Sequence, residues 1–125
     1  MTDAPRLRIL HVFPAPLGGL FRHAIDLARG QAERGHAVGI FCDSTTGGRR
    51  ADEVFAELSG QLSLGITRVP MSRYPSVTDA RAQISAMRLR SKLDPDIVHC
   101  HGSKGGVYGR VPALVSPGRR YVTAY

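Results

Sequence analysis

The residues best equipped for chemistry crowd into Asp96–Gly106, DIVHCHGSKGG: two histidines, a cysteine, a serine, a lysine and three glycines in eleven residues. Histidine with cysteine suggests a metal, whereas glycine, serine and lysine suggest an anion held against backbone N–H groups. In a strand, His99 and His101 project to one face and Cys100 to the other, so these three cannot converge on one ion. The two histidines can share a metal only with a ligand from elsewhere, and His11 and Cys42 on neighbouring strands are the candidates. Their spacing does not demand it, so neither a metal nor a cofactor is expected, and His99 reads as a hydrogen-bonded core residue. His101 differs. It precedes Gly102, with Ser103 placed as an N-cap and Lys104 near a helix start, a setting for a phosphate or a sugar hydroxyl.

A second candidate is the loop PAPLGG, Pro14–Gly19. Gly18 and Gly19 directly precede a helix whose first N–H groups lack partners, so an anion could approach the backbone there; equally, the glycines could serve only a tight turn. The dinucleotide fingerprint G-x-G-x-x-G is missing, and only Asp43, placed where a ribose-binding acid would sit, favours a nicotinamide or flavin enzyme. GSKGG lacks P-loop spacing. Ser44, Ser72 and Ser103 sit in no G-x-S-x-G elbow. The glutamates, Glu33, Glu53 and Glu57, fall on helices away from any site, so no catalytic residue is assigned.

These residues need elements to position them. Apolar runs at 7–13, 36–43, within 62–70, at 96–101 and at 121–125 read as strands. Between them lie helices. The first places Leu20, Ala24, Leu27, Ala28 and Gln31 on one face, widened by Phe21, Ile25 and Ala32, and stops at Gly35. The second runs from Ala51 to about Gly60, with Asp52 and Glu53 in its first turn. The third, Thr78–Leu93, aligns Ala80, Ile84, Met87 and Ser91. A glycine-interrupted helix follows Ser103. This β-α alternation predicts a single α/β domain over 1–125, a doubly wound, Rossmann-like parallel sheet, with sites beyond the C-terminal strand ends.

The chain has 125 residues, 42% hydrophobic and 22% charged, which bounds it to one ordered domain. No run is long enough to span a bilayer and the N-terminus lacks a signal-peptide pattern, so a cytoplasmic place is expected, possible contact with the inner membrane face included. Cys42 and Cys100 read as buried, reduced thiols. The net charge of +7 favours phosphate-bearing partners. Its basic residues are dispersed without aromatic interleaving, which argues against nucleic acid. Arg81, Arg88, Arg90 and Lys92 make the third helix either a membrane contact or a solvated basic face.

Taken together, two segments resemble the opening of glycosyltransferase family 4 enzymes of the GT-B fold. RILHVFPAPLGGLFRHAIDLARGQAERGHAVGIFCD has the family's strand, G-G loop (Gly18, Gly19) and R-G-H-x-V helix end (Arg34, Gly35, His36, Val38). DPDIVHCHGSKGG is similar to its D-[IV]-[IV]-H-x-H strand, with Asp96, Ile97, Val98, His99, His101 and Gly102 in place. The resemblance implies sugar transfer, usually retaining and metal-free, from a nucleotide-sugar donor to a lipid-linked or polysaccharide acceptor, in a cleft between two domains. It implies that a C-terminal domain binds the donor nucleotide, that Gly18 and Gly19 face the donor diphosphate from the N-terminal side, and that His101, Gly102, Ser103 and Lys104 line the acceptor pocket. The family's T-P-H segment and E-x7-E donor motif are not in these residues. The expectation is an N-terminal, acceptor-side domain, truncated before its last elements, inactive alone and prone to self-association through an open sheet edge. A stand-alone module binding an anion or sugar is the alternative, a dinucleotide-dependent oxidoreductase the third.

Overall fold

Short β-branched runs flanked by glycine, proline and polar residues become the strands of one parallel sheet in the computed structural model, which describes residues 5–71, 77–102 and 122–124. The elements are β1 Arg8–Val12, α1 Gly18–Glu33, β2 Ala37–Asp43, α2 Gly48–Leu58, β3 Gly65–Val69, α3 Val77–Leu93, β4 Ile97–Cys100 and β5 Val122–Ala124. The strand order is β3-β2-β1-β4-β5. From β1 the chain winds outward through β2 and β3, then returns to place β4 on the other side of β1. That reversal makes the C-terminal ends of β1 and β4 the switch point where such sheets bind ligands. His11 is paired with His99 in the β1–β4 register.

The sheet is covered on both faces. Phe13, Val38, Ile40 and Cys42 pack with Phe21, Ala24, Ile25 and Ala28 of α1 and with Ala51, Phe55 and Leu58 of α2. Leu10, Val12, Phe41, Val98 and Cys100 pack on Ala82, Ala86 and Leu93 of α3. Neither cysteine is in a disulfide, and both are buried; burial pushes the Cys42 thiol up to about 12, which leaves it unreactive.

Several motif residues are explained by the joints they make. Gly35 takes φ +92°, which favours glycine, and ends α1. His36 then accepts a hydrogen bond on Nδ1 from the Leu7 N–H at 3.1 Å, tying the start of β1 to β2. Asp96 accepts from the Arg8 N–H at 2.9 Å, and its own N–H donates to the Arg8 carbonyl at 2.7 Å. The Arg8 guanidinium meanwhile donates through Nε to the Leu93 carbonyl at 2.8 Å, closing the end of α3.

Two sequence expectations are corrected. α2 starts at Gly48, so Asp52 and Glu53 lie beyond its first turn; Asp52 instead pairs with Arg68 of β3 at 2.8 Å. In α3 the buried side is Ala82, Ala86, Arg90 and Leu93, while Ala80, Ile84 and Ser91 are exposed. Small and apolar residues are scattered around the whole helix, so periodicity alone could not choose a face. With Arg90 buried, the exposed basic residues of α3 are Arg81, Arg88 and Lys92. The expected helix after Ser103, with Ser103 and Lys104 themselves, lies outside the described residues.

Candidate functional site at the switch point

β1 leads into a loop stapled to its neighbours: Phe13 N–H donates to the Phe41 carbonyl at 3.1 Å, and Asp43 N–H to the Pro14 carbonyl at 2.8 Å. The loop delivers the chain to Gly18, whose φ of +67° starts α1. Leu17, the N-cap, is extended and offers no side-chain hydrogen bond to the helix. A Cβ at Gly18 or at Gly19 would meet nothing within 4 Å, so the glycines leave open space in front of an uncapped helix start. From there a groove of about 680 Å³ runs between α1 and α2, with Arg22 and Arg50 on its walls. A cavity of similar size beside Arg6 and Lys92 lies at the opposite end of the strands, away from the switch point.

β4 reaches the same rim. His101 N–H donates to the Val12 carbonyl at 2.8 Å. Gly102 takes φ +77°, and a Cβ on it would sit 3.3 Å from Leu20 Cδ1 in the first turn of α1. The two glycine-bearing motifs are thus neighbours, although about eighty residues separate them in sequence.

His101 does not stand on the lip, as its position before Gly102 suggested. It is 4% exposed. Its Nε2 lies 3.0 Å from His11 Nδ1, and His11 Nε2 lies 2.7 Å from Gln31 Oε1 on α1. Because the amide oxygen only accepts, His11 carries its proton on Nε2; its Nδ1 then accepts from the His101 Nε2–H. Burial is the main reason the His11 pKa falls to about 4, the Gln31 bond opposing it and His99 and His23 reinforcing it. Burial, then the charges of His99, His11 and His23, lowers His101 to about 3. Both rings are neutral at physiological pH. His101 Nδ1 therefore keeps a lone pair that can accept from a hydroxyl but cannot act as a cation toward phosphate.

His99 is half-buried. Among the described residues its ring makes no hydrogen bond; it stacks on His101 with centroids 4.1 Å apart and tilts against His11 at 5.2 Å. His23, an exposed residue of α1, sets its ring edge-on to His101 at 6.0 Å. The ligand-capable atoms of His11, His99 and His101 all lie within 4.8 Å of one another. Of the two outside metal candidates, His11 joins the pair; Cys42 is buried in the core between β2 and the helices. Sequence spacing gave no sign of His23. Gln31 did leave one, as a polar residue in the apolar stripe of α1.

Asp43, the one feature favouring a dinucleotide, is otherwise engaged. Its carboxylate accepts from Thr45 Oγ1 at 2.8 Å, Thr46 Oγ1 at 2.6 Å and Met71 N–H at 2.9 Å. Burial pushes its pKa up, but these bonds, Thr46 foremost, outweigh it and hold the group below the usual carboxylate range. Such a carboxylate locks the loop after β2 and has little left to offer a ribose.

The sequence model of Glycosyltransferase Family 4 matches residues 17–125. No curated protein sequence matches the chain. Among solved structures, a glycosyltransferase from Rickettsia africae superposes with a TM-score of 0.68 at 19% identity, over 98% of this chain and 30% of its own. MurG of Acinetobacter baumannii gives 0.66 at 17% identity, over 93% and 34%. The C-terminal domain of a Pyrococcus furiosus hydrogenase gives 0.61 at 14% identity, over 98% and 96%. At such identities the likeness concerns the fold, which serves unrelated chemistries. The chain spans about a third of the length of the two glycosyltransferases.

Proposed function

The chain belongs to glycosyltransferase family 4, and on that premise we propose that it is the acceptor-side domain of an enzyme that moves a sugar from a nucleotide-sugar donor to a lipid-linked or polysaccharide acceptor. The observation that carries this reading is the meeting of Gly18–Gly19 and His101–Gly102 at the switch point of the sheet. The open, uncapped start of α1 faces the donor diphosphate, whose charge suits the free N–H groups and the helix dipole. Gly102, with the neutral His101 just beneath it, receives the acceptor, joined by Ser103 and Lys104. Aligning the two substrates takes both walls of a cleft, and this domain supplies one.

No helix among the described residues is long and apolar enough to cross a membrane. A lipid-linked acceptor would be met at the inner membrane face from the cytoplasm, with exposed Arg81, Arg88 and Lys92 of α3 near anionic headgroups.

Titration of the isotopically labelled protein with nucleoside diphosphate-sugars and with saccharide acceptors, followed by amide shifts, tests the assignment. Acceptor is expected to shift Gly102, and donor, held by this wall through its diphosphate alone and so only at high concentration, to shift Gly18 and Gly19. Gly19→Asp places a negative charge in the open space, so it is expected to abolish the donor shifts without destabilising α1. Shifts confined to the cavity beside Arg6 and Lys92 would overturn the reading.

A further inference from the structure

We propose that His11, His99 and His101 form a three-imidazole site for a borderline divalent cation, Zn2+ in particular, where the ends of β1 and β4 lie side by side. The register sets His11 beside His99 on adjacent strands. Strand alternation brings His101 to the same face two residues on, and the three rings contact one another. Their ligand-capable atoms fit within 4.8 Å, and the closest pair, His11 Nδ1 and His101 Nε2, is 3.0 Å apart. Two nitrogens each about 2.0–2.1 Å from a tetrahedral zinc lie roughly 3.3 Å apart, so the closest pair needs only a small opening, whereas the wider separations must close and the stacked His99 and His101 rings, 14° apart, must turn for all three lone pairs to meet the ion.

His11 is already prepared for this role. Its Nε2–H is committed to Gln31 Oε1, which aims the Nδ1 lone pair away from α1 and toward the other rings. A ligating histidine commonly donates its second ring N–H to an oxygen in this way. His101 must present Nε2 without its proton, so on binding it takes the Nδ1–H tautomer. The proton moves from one nitrogen of the ring to the other. His99, half-buried, marks the side from which the ion enters. A fourth position falls to water or to His23, whose ring stands 6.0 Å from His101.

Three neutral imidazoles without carboxylate or carbonyl oxygen select Zn2+ over Mg2+ and Ca2+. Bound there, the ion ties β1 to β4 directly beneath Gly102, and so fixes the wall assigned to the acceptor. The site does not depend on that assignment, because its test measures metal binding alone.

The test is calorimetric titration of the metal-free chain with Zn2+, with Mg2+ and Ca2+ as comparisons. One saturable Zn2+ site is expected, with no Mg2+ or Ca2+ binding. His99→Asn is expected to weaken Zn2+ at least tenfold, whereas His36→Ala, remote from the site, leaves it unchanged. His99 is chosen because its half-buried ring can be replaced without emptying the core, and an unchanged circular dichroism spectrum verifies folding. Co2+ in place of Zn2+ is expected to give visible bands of a tetrahedral nitrogen site. No saturable binding, or binding equally strong in His99→Asn, would overturn the proposal.

Discussion

His11 and His101, ninety residues apart in the chain, face each other across β1 and β4 with their ring nitrogens 3.0 Å apart. Through His11 the contact extends to Gln31, so β1, β4 and α1 are joined by one run of hydrogen bonds beneath the rim. Such a run is directional: Gln31 fixes the His11 tautomer, and His11 fixes that of His101.

The run makes stability pH-dependent. Burial holds His11 at about 4 and His101 at about 3 in the folded chain, against 6.5 for an unperturbed ring. From about pH 6.5 down to about pH 4 the unfolded chain therefore binds more protons than the folded one. Stability is complete above that window and lost as pH falls through it, with a limiting slope of about 1.4 kcal/mol per pH unit for each ring. Urea melts at pH 7.5, 6 and 5, with chelator present, check this; equal stabilities at pH 7.5 and pH 5 would contradict it.

Gln31→Leu keeps the volume and removes the acceptor. The His11 Nε2–H is then left without a partner, and a loss of about 1–3 kcal/mol is expected. Gln31→Glu places a carboxylate against the same nitrogen, raises the His11 pKa and flattens the acid side of the stability curve. Histidine-selective nitrogen shifts against pH distinguish the two variants.

Asp43 is a joint for the loop after β2. Asp43→Ala strands the Thr46 hydroxyl and the Met71 N–H and is expected to cost about 3 kcal/mol; Asp43→Asn, which keeps an acceptor oxygen, costs less. Thermal shift with NAD and NADP is expected to be flat for the wild-type chain, because the carboxylate is spoken for. A clear rise in melting temperature would restore the dinucleotide reading.

Two glycines should respond oppositely to alanine. At Gly47, φ is +90° and a Cβ would lie 2.6 Å from Ala51 Cβ and 2.7 Å from Pro16 Cγ. Gly47→Ala is expected to cost about 2 kcal/mol or more, from overpacking and a disfavoured backbone. Gly30 lies inside α1, where a Cβ would meet nothing within 4 Å; Gly30→Ala is expected to gain about 0.5–1 kcal/mol. Paired denaturant melts decide both.

Much of the architecture could be read locally. The apolar runs, the stop at Gly35 and the stripe of α1 each follow from short-range rules, and the alternating order left one class of parallel sheet. Where a segment's pattern was weak, as in α3, its length was legible but its buried face was not. Scattered alanines and isoleucine gave no preferred side, and contact with β1 and β4 made the choice. For α2 the start was misplaced because Gly48, Arg49 and Arg50 resemble a loop until Gly47 turns beneath Pro16.

For the site, the sequence by itself determined the ingredients and one strict geometrical fact: strand alternation separates Cys100 from His99 and His101 whatever the fold. It also supplied the motifs that tie the chain to its family. The tertiary structure decided the company those residues keep. Register brought His11 rather than Cys42 to the pair, burial kept His101 neutral beneath the rim, and three hydroxyl and amide donors claimed Asp43. These outcomes depend on which strands lie adjacent and how deeply a ring is covered, long-range quantities that no window of neighbouring residues contains.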